Sequence, residues 1–164
     1  MNNVSLIASG RKQLLIRSLI FLVLAVWCAG FVSPFFSGNS QIYPLLFPFL
    51  KTGYGKVCHQ AESKTFIILG HHLLVCARCT GIYTGALFSA VLALFIFKNK
   101  EYKIIFLLLS LIPMLLDVIL YSSGAYSYSK IIAFLTGIFS GSVVFVYILA
   151  AFEKFFLTEF RKNE

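Results

Sequence analysis

Four apolar stretches of near-membrane length, at about residues 18–36, 79–97, 102–121 and 131–152, constrain this chain more than any other feature. A helix needs about 20 mostly apolar residues to cross the hydrocarbon core of a bilayer. Within lipid every backbone N–H and C=O must find a partner inside the segment or barrel, so stretches of this length read as helices. The composition agrees: of 164 residues, 59% are hydrophobic and 12% charged, with a mean hydropathy of +0.88. A soluble domain carries about twice that charge, which excludes an ordinary soluble enzyme and a disordered tail. The expectation is a single all-α membrane domain over 1–164, with four transmembrane helices and the lipid bilayer as its surroundings.

The net charge of +8 would suggest nucleic acid in a soluble protein. Membrane proteins keep Lys and Arg on the cytoplasmic side, so no nucleic-acid partner is expected. With four spans, Arg11, Lys12, Arg17, Lys98, Lys100, Lys103, Lys154, Arg161 and Lys162 share one side. Lys51, Lys56, Lys64, Arg78 and Lys130 share the other. Nine against five places both termini in the cytoplasm of a cell (inner) membrane protein and the loop 51–79 outside it. Arg11, Lys12 and Arg17 before an apolar run also resemble a signal peptide. Trp27 and Cys28 occupy the window where a small-x-small cleavage site would lie, and Trp27 spoils a lipoprotein attachment at Cys28. A retained first span is expected.

Between the first two spans, Pro34, Pro44 and Pro48 with Gly38-Asn39-Ser40 should cut a helix into fragments, leaving an interfacial or re-entrant segment. Residues 64–69 before Gly70 read as a short strand or extended stretch. This region also holds all three histidines and three of the four cysteines, as Cys58-His59-Gln60, His71-His72 and Cys76-Ala77-Arg78-Cys79. A C-x-x-C brings two thiolates to one tetrahedral ion, and a distant Cys and a His can complete it. The expected ligands are Cys58, Cys76, Cys79 and His71, with His72 or His59 as alternatives. Zinc is the expected metal, in a closed structural site as thiolate-rich zinc sites more often are, and copper(I), which also suits soft ligands, would suggest metal handling. Thr80 stands where covalent c-type haem attachment requires His. Two other chemistries fit the same residues. One is a thiol–disulfide oxidoreductase using Cys76 and Cys79, with Arg78 favouring a thiolate and a quinone as possible oxidant. The other is a plain disulfide from Cys58 to Cys76 or Cys79.

Cys58-His59-Gln60, a basic residue with Thr65-Phe66, then Gly70 and Cys76-Ala77-Arg78-Cys79-Thr80-Gly81-Ile82-Tyr83 resemble the signature of a small prokaryotic membrane family. It is catalogued as domain of unknown function number two thousand eighty-five. The likeness continues through Pro113, Asp117, Thr136-Gly137 and Gly141. Lys64 stands where Arg is usual, Val118 where Gly is usual, and no Arg precedes Thr136. The resemblance implies a multi-span membrane protein and supplies no activity.

Gly81-x-x-x-Gly85 and Gly137-x-x-x-Gly141 place smooth strips on their helices, as close helix packing needs. Pro113 should kink the third span, and the Tyr126/Tyr128 loop should anchor at the membrane interface. An acid inside an apolar span usually faces a partner. The span directions bring Asp117 to the depth of Arg78, with Lys130 as the alternative partner. Such a pair would hold the C-x-x-C against the bundle and tune its thiolates.

Overall fold

The computed structural model of the chain describes residues 3–35, 43–95 and 103–162, with side chains over 13–35, 43–95 and 103–155. In chain order the elements are α1 (Asn3–Val32), α2 (Tyr43–Gly55), a 3-10 turn (Glu62–Lys64), β1 (Thr65–Ile68), β2 (His71–Cys76), α3 (Ala77–Phe95), α4 (Ile104–Ser122) and α5 (Lys130–Lys162). Four helical segments are long and apolar enough to cross a membrane: Gln13–Phe35, Ala77–Phe95, Ile104–Ser122 and Lys130–Phe155. The four expected spans are present with shifted ends, and residues 36, 96, 97 and 102 of the expected ranges lie outside the described residues. Leucine, isoleucine, valine and phenylalanine side chains on all four helices face outward, as a lipid-facing surface requires.

The helices α3 and α5 form the spine. A Cβ added at Gly81 would lie 2.2 Å from the carbonyl oxygen of Phe134, and one at Gly85 would lie 2.4 Å from that of Ile138. The opposing strip is as tight: Gly137 would meet the Arg78 carbonyl at 2.5 Å and Gly141 the Ile82 carbonyl at 2.3 Å. Both four-residue glycine strips therefore press backbone on backbone, which van der Waals packing in lipid rewards. Ser142 adds a hydrogen bond from Oγ to the Gly85 carbonyl at 3.1 Å. On the other flank Ser140 Oγ, fully buried, donates to the Ser110 carbonyl of α4 at 2.7 Å. Pro113 sits inside α4 without ending it.

One tie was not visible in the sequence. Arg17 of α1 reaches Glu153 of α5 at 2.5 and 3.1 Å and donates to the Ala93 carbonyl of α3 at 2.7 Å. Three helices are thus joined by one nearly buried guanidinium, whose charge is compensated where lipid would otherwise penalise it.

One expectation needs correction. Residues 43–55 are one helix despite their prolines. Pro44 lies in the first turn, where its missing N–H costs nothing, and Pro48 forfeits one hydrogen bond close to the N-terminus. The 13-residue α2 is too short to span, and Leu45, Leu46 and Phe49 are exposed while Tyr54 is buried. The short strand expected within 64–69 is present as β1, one half of a β-hairpin. Leu69 (φ 48°) and Gly70 (φ 81°) make a two-residue turn, β1 and β2 pair antiparallel, and a bulge separates Ile67↔His72 from Thr65↔Cys76.

Candidate metal centre

The hairpin delivers its last residue, Cys76, directly to the first turn of α3, which carries Cys79. Cys58 approaches from the loop after α2. The chain there is turned by Gln60, whose φ of 49° is left-handed. Its side-chain amide donates to the carbonyls of Lys51 at 3.1 Å and Leu74 at 2.9 Å, which pins the loop against α2 and β2. As a result Cys58 is buried while His59, its neighbour, is exposed. The backbone N–H of Cys76 donates to Cys58 Sγ at 3.2 Å.

The Sγ atoms of Cys58, Cys76 and Cys79 all lie within 4.8 Å of one another. All four cysteines are free thiols in the structure. Hydrogen bonds from Cys76 and then Cys79 hold the Cys58 thiol well below its ordinary range, outweighing the opposing effect of burial. Thiolate character at one of three converging sulfurs is what a soft metal ion needs.

Aromatic rings line the thiol pocket. Trp27 stacks tilted on Tyr54 at 4.7 Å, and Phe31 lies 5.9 Å from Tyr83. Cys28, Phe31, Tyr54, Cys58, Leu74 and Val75 are buried together, with Cys76, Cys79 and Tyr83 packed against them. The Tyr54 hydroxyl donates to the Trp27 carbonyl at 2.6 Å across the bare backbone of Gly30. Burial pushes its pKa up to about 12, so it remains a donor. Cys28 belongs to this wall: its thiol points to the Tyr83 carbonyl at 3.8 Å.

The histidines occupy a different place. Among the described residues, the group that could hold an ion is the three thiols alone. His59, His71 and His72 are exposed and line a neighbouring cavity of about 800 Å³. The reason is the strand: β2 leaves His71 and His72 exposed at its turn end and buries Leu74 and Val75 beside Cys58.

Arg78 and Asp117 form the expected ion pair between α3 and α4. Asp117 is 4% exposed, and its second oxygen accepts from the Tyr126 hydroxyl. Tyr128 packs edge-on against Tyr121 at 5.3 Å, and the Lys64 ammonium lies over both rings, at 4.5 and 5.3 Å from their centres. The tyrosine loop also clamps Lys64, just before β1, and Asp117. No spacing rule in the sequence links Tyr126 to Asp117 or Lys64 to two tyrosines; chain reversal after α4 makes those contacts.

The geometry gains context from relatives. The pattern of the family described as "Predicted membrane protein (DUF2085)" matches residues 58–147. The chain belongs to this family. The DUF2085 match opens on Cys58 and takes in the hairpin, α3, α4 and the first half of α5, and so every thiol of the cluster. An uncharacterised protein of Methanocaldococcus jannaschii is 32% identical over 157 residues, covering 92% of this chain and 99% of its own. A second, from Methanothermobacter thermautotrophicus, is 34% identical over 87 residues, 52% of this chain and 78% of its own. No solved structure matches this DUF2085 chain.

Proposed function

We propose that this membrane protein binds a soft metal ion, zinc in the first instance, through Cys58, Cys76 and Cys79, on the outer face of the cell membrane. The observation that carries the reading is the convergence of three free thiols from three separate elements within 4.8 Å. Three thiolates leave a tetrahedral ion one further position, open to His71, His72, His59, water or an exchanging ligand. An open position favours metal handling over a closed structural site, and it keeps copper(I) as the alternative cargo. Arg78, paired with Asp117, fixes the C-x-x-C without touching the ion, as outer groups do at metal sites.

The test is metal analysis of the full chain purified in detergent, with a thiol count. About one zinc or copper per chain is expected, and Cys58→Ser or Cys79→Ser should remove it. Metal-free protein whose Cys76 and Cys79 form a reversible disulfide would end the proposal.

A second reading has one observation in its favour: Cys76 and Cys79 are free thiols whose sulfurs lie within 4.8 Å of each other, close enough to exchange between dithiol and disulfide. In that reading Cys76 and Cys79 are oxidised to a disulfide, and a quinone takes up the two electrons and two protons.

A further inference from the structure

The hairpin lies beside the ends of the spans and not above them. β2 packs against α1, and its Leu74 and Val75 are buried in one cluster with Cys28 and Phe31 of that helix. On the other side Phe66 of β1 meets Phe134 of α5 edge-on at 5.5 Å. Phe31 and Phe134 each lie about one helical turn inside an apolar span, counted from Phe35 and from Lys130. The strands therefore sit at the depth where the helices leave the hydrocarbon.

At that depth β1 turns apolar. Ile67, Ile68 and Leu69 are 56%, 40% and 79% exposed. Successive strand residues point to opposite faces, so Ile67 and Ile68 make both faces of the tip apolar on this strand. An antiparallel sheet with one face in water alternates apolar with polar residues instead. Leu69 holds the turn at a left-handed φ of 48°, a position that hairpins usually give to Asn, Asp or Gly. Opposite these residues, His71 and His72 line the cavity between α2 and the hairpin, while Ile67, Ile68 and Leu69 lie outside it. Polar groups are thus gathered on one strand and apolar groups on the other, as in an element that lies in a membrane interface. Around Phe134, Ile131, Ile132 and Leu135 of α5 are exposed as well, so the apolar tip continues the lipid-facing surface of the bundle.

We propose that the hairpin tip, Ile67-Ile68-Leu69, is a membrane anchor that inserts into the lipid leaflet on the thiol side of the bundle. An exposed apolar cluster marks a contact with membrane or protein, and the depth of this one selects lipid. The anchor steadies β2, and with it Cys76, from the lipid side, where a two-stranded sheet alone is marginal. It does not depend on what the thiols bind, so the thiolate reading stands whichever way the anchor falls.

Leu69→Trp in the full chain, reconstituted into phosphatidylcholine vesicles, tests this. The wild type, whose single tryptophan is Trp27, supplies the background. The added emission should be blue-shifted, and it should lose intensity in vesicles whose acyl chains are brominated near the ester end. Ile68→Trp, with the turn residue unchanged, should repeat the result from the neighbouring position. Absence of the bromine response in both variants would overturn the anchor. Iodide in the water then tells what covers the tip: it quenches a tip that lies in water and spares one under a second copy or another protein.

Discussion

A methyl group at Gly81 would sit 2.2 Å from a backbone oxygen of α5, and no rotamer can move a backbone aside. Gly81→Ala and Gly137→Ala should therefore separate α3 from α5 and cost about 1–3 kcal/mol, as overpacking does. Gly53, inside α2 with nothing within 4 Å of its missing Cβ, is the control. Gly53→Ala should be neutral or stabilise slightly, because alanine is the better helix former. Unfolding followed by circular dichroism in detergent separates the two outcomes. At Asp117 the governing term is charge. Its side chain is 2% exposed and that of Arg78 is 22%. Removing one partner of a buried pair typically costs about 3–5 kcal/mol, while removing both costs much less. Arg78→Ala should thus destabilise more than Arg78→Ala with Asp117→Ala, and a double-mutant cycle measures the difference. Equal losses in both would show that Tyr126 alone satisfies the carboxylate.

The hairpin is the element on which the thiol pocket depends. It consists of β1 and β2 only, and a two-stranded sheet is marginal by itself. Its stability comes from outside: Phe66 packs edge-on against Phe134 of α5 at 5.5 Å, Lys64 is held between Tyr121 and Tyr128, and Thr65 is buried. The turn needs two left-handed residues, and Gly70 supplies one at φ 81°. Any side chain there costs roughly 1–2 kcal/mol of backbone strain. Gly70→Val should loosen β2, and with it the placement of Cys76. The measurement is metal content after dialysis against a weak chelator: the variant should lose its ion faster than wild type while the helical signal stays unchanged. Asn at the same position, which tolerates left-handed geometry, should preserve retention.

At the scale of the molecule, both ends of the bundle are pinned by buried charge. Arg17–Glu153 joins α1 and α5 at one end, and Arg78–Asp117 joins α3 and α4 at the other. Four crossings return the C-terminal end of α5 to the side of the N-terminus, and the hairpin, α2 and the thiols occupy the opposite side. The proposed orientation, with both termini in the cytoplasm, rests on the excess of Lys and Arg on that side. Lys56, exposed beside Cys58, offers a reporter. Lys56→Cys should react with a membrane-impermeant maleimide in intact spheroplasts well above the wild-type background. Reaction only after lysis would invert the orientation. It would also remove the compartment that the oxidoreductase reading needs, since the cytoplasm keeps thiols reduced.

The sequence alone determined the four spans, because hydrocarbon leaves a run of some 20 apolar residues few options besides a helix. It marked a smooth face on α3 and another on α5, because glycines four apart lie on one helical face, and the structure set the two faces against each other. It also determined that Cys76 and Cys79 share a site, since a two-residue spacer leaves them little room to part. The pairing of Arg78 with Asp117 followed from counting residues along oppositely directed helices. What only the tertiary structure decided is how Cys58 and the histidines divide. Neighbours in sequence, Cys58 and His59 go to opposite sides of a loop pinned by Gln60, and β2 keeps His71 and His72 out of the core that receives Cys76. Chain reversals and strand register make that choice through long-range contacts, which composition and local spacing do not encode. Arg17 with Glu153, 136 residues apart, is the same case at the other end of the bundle.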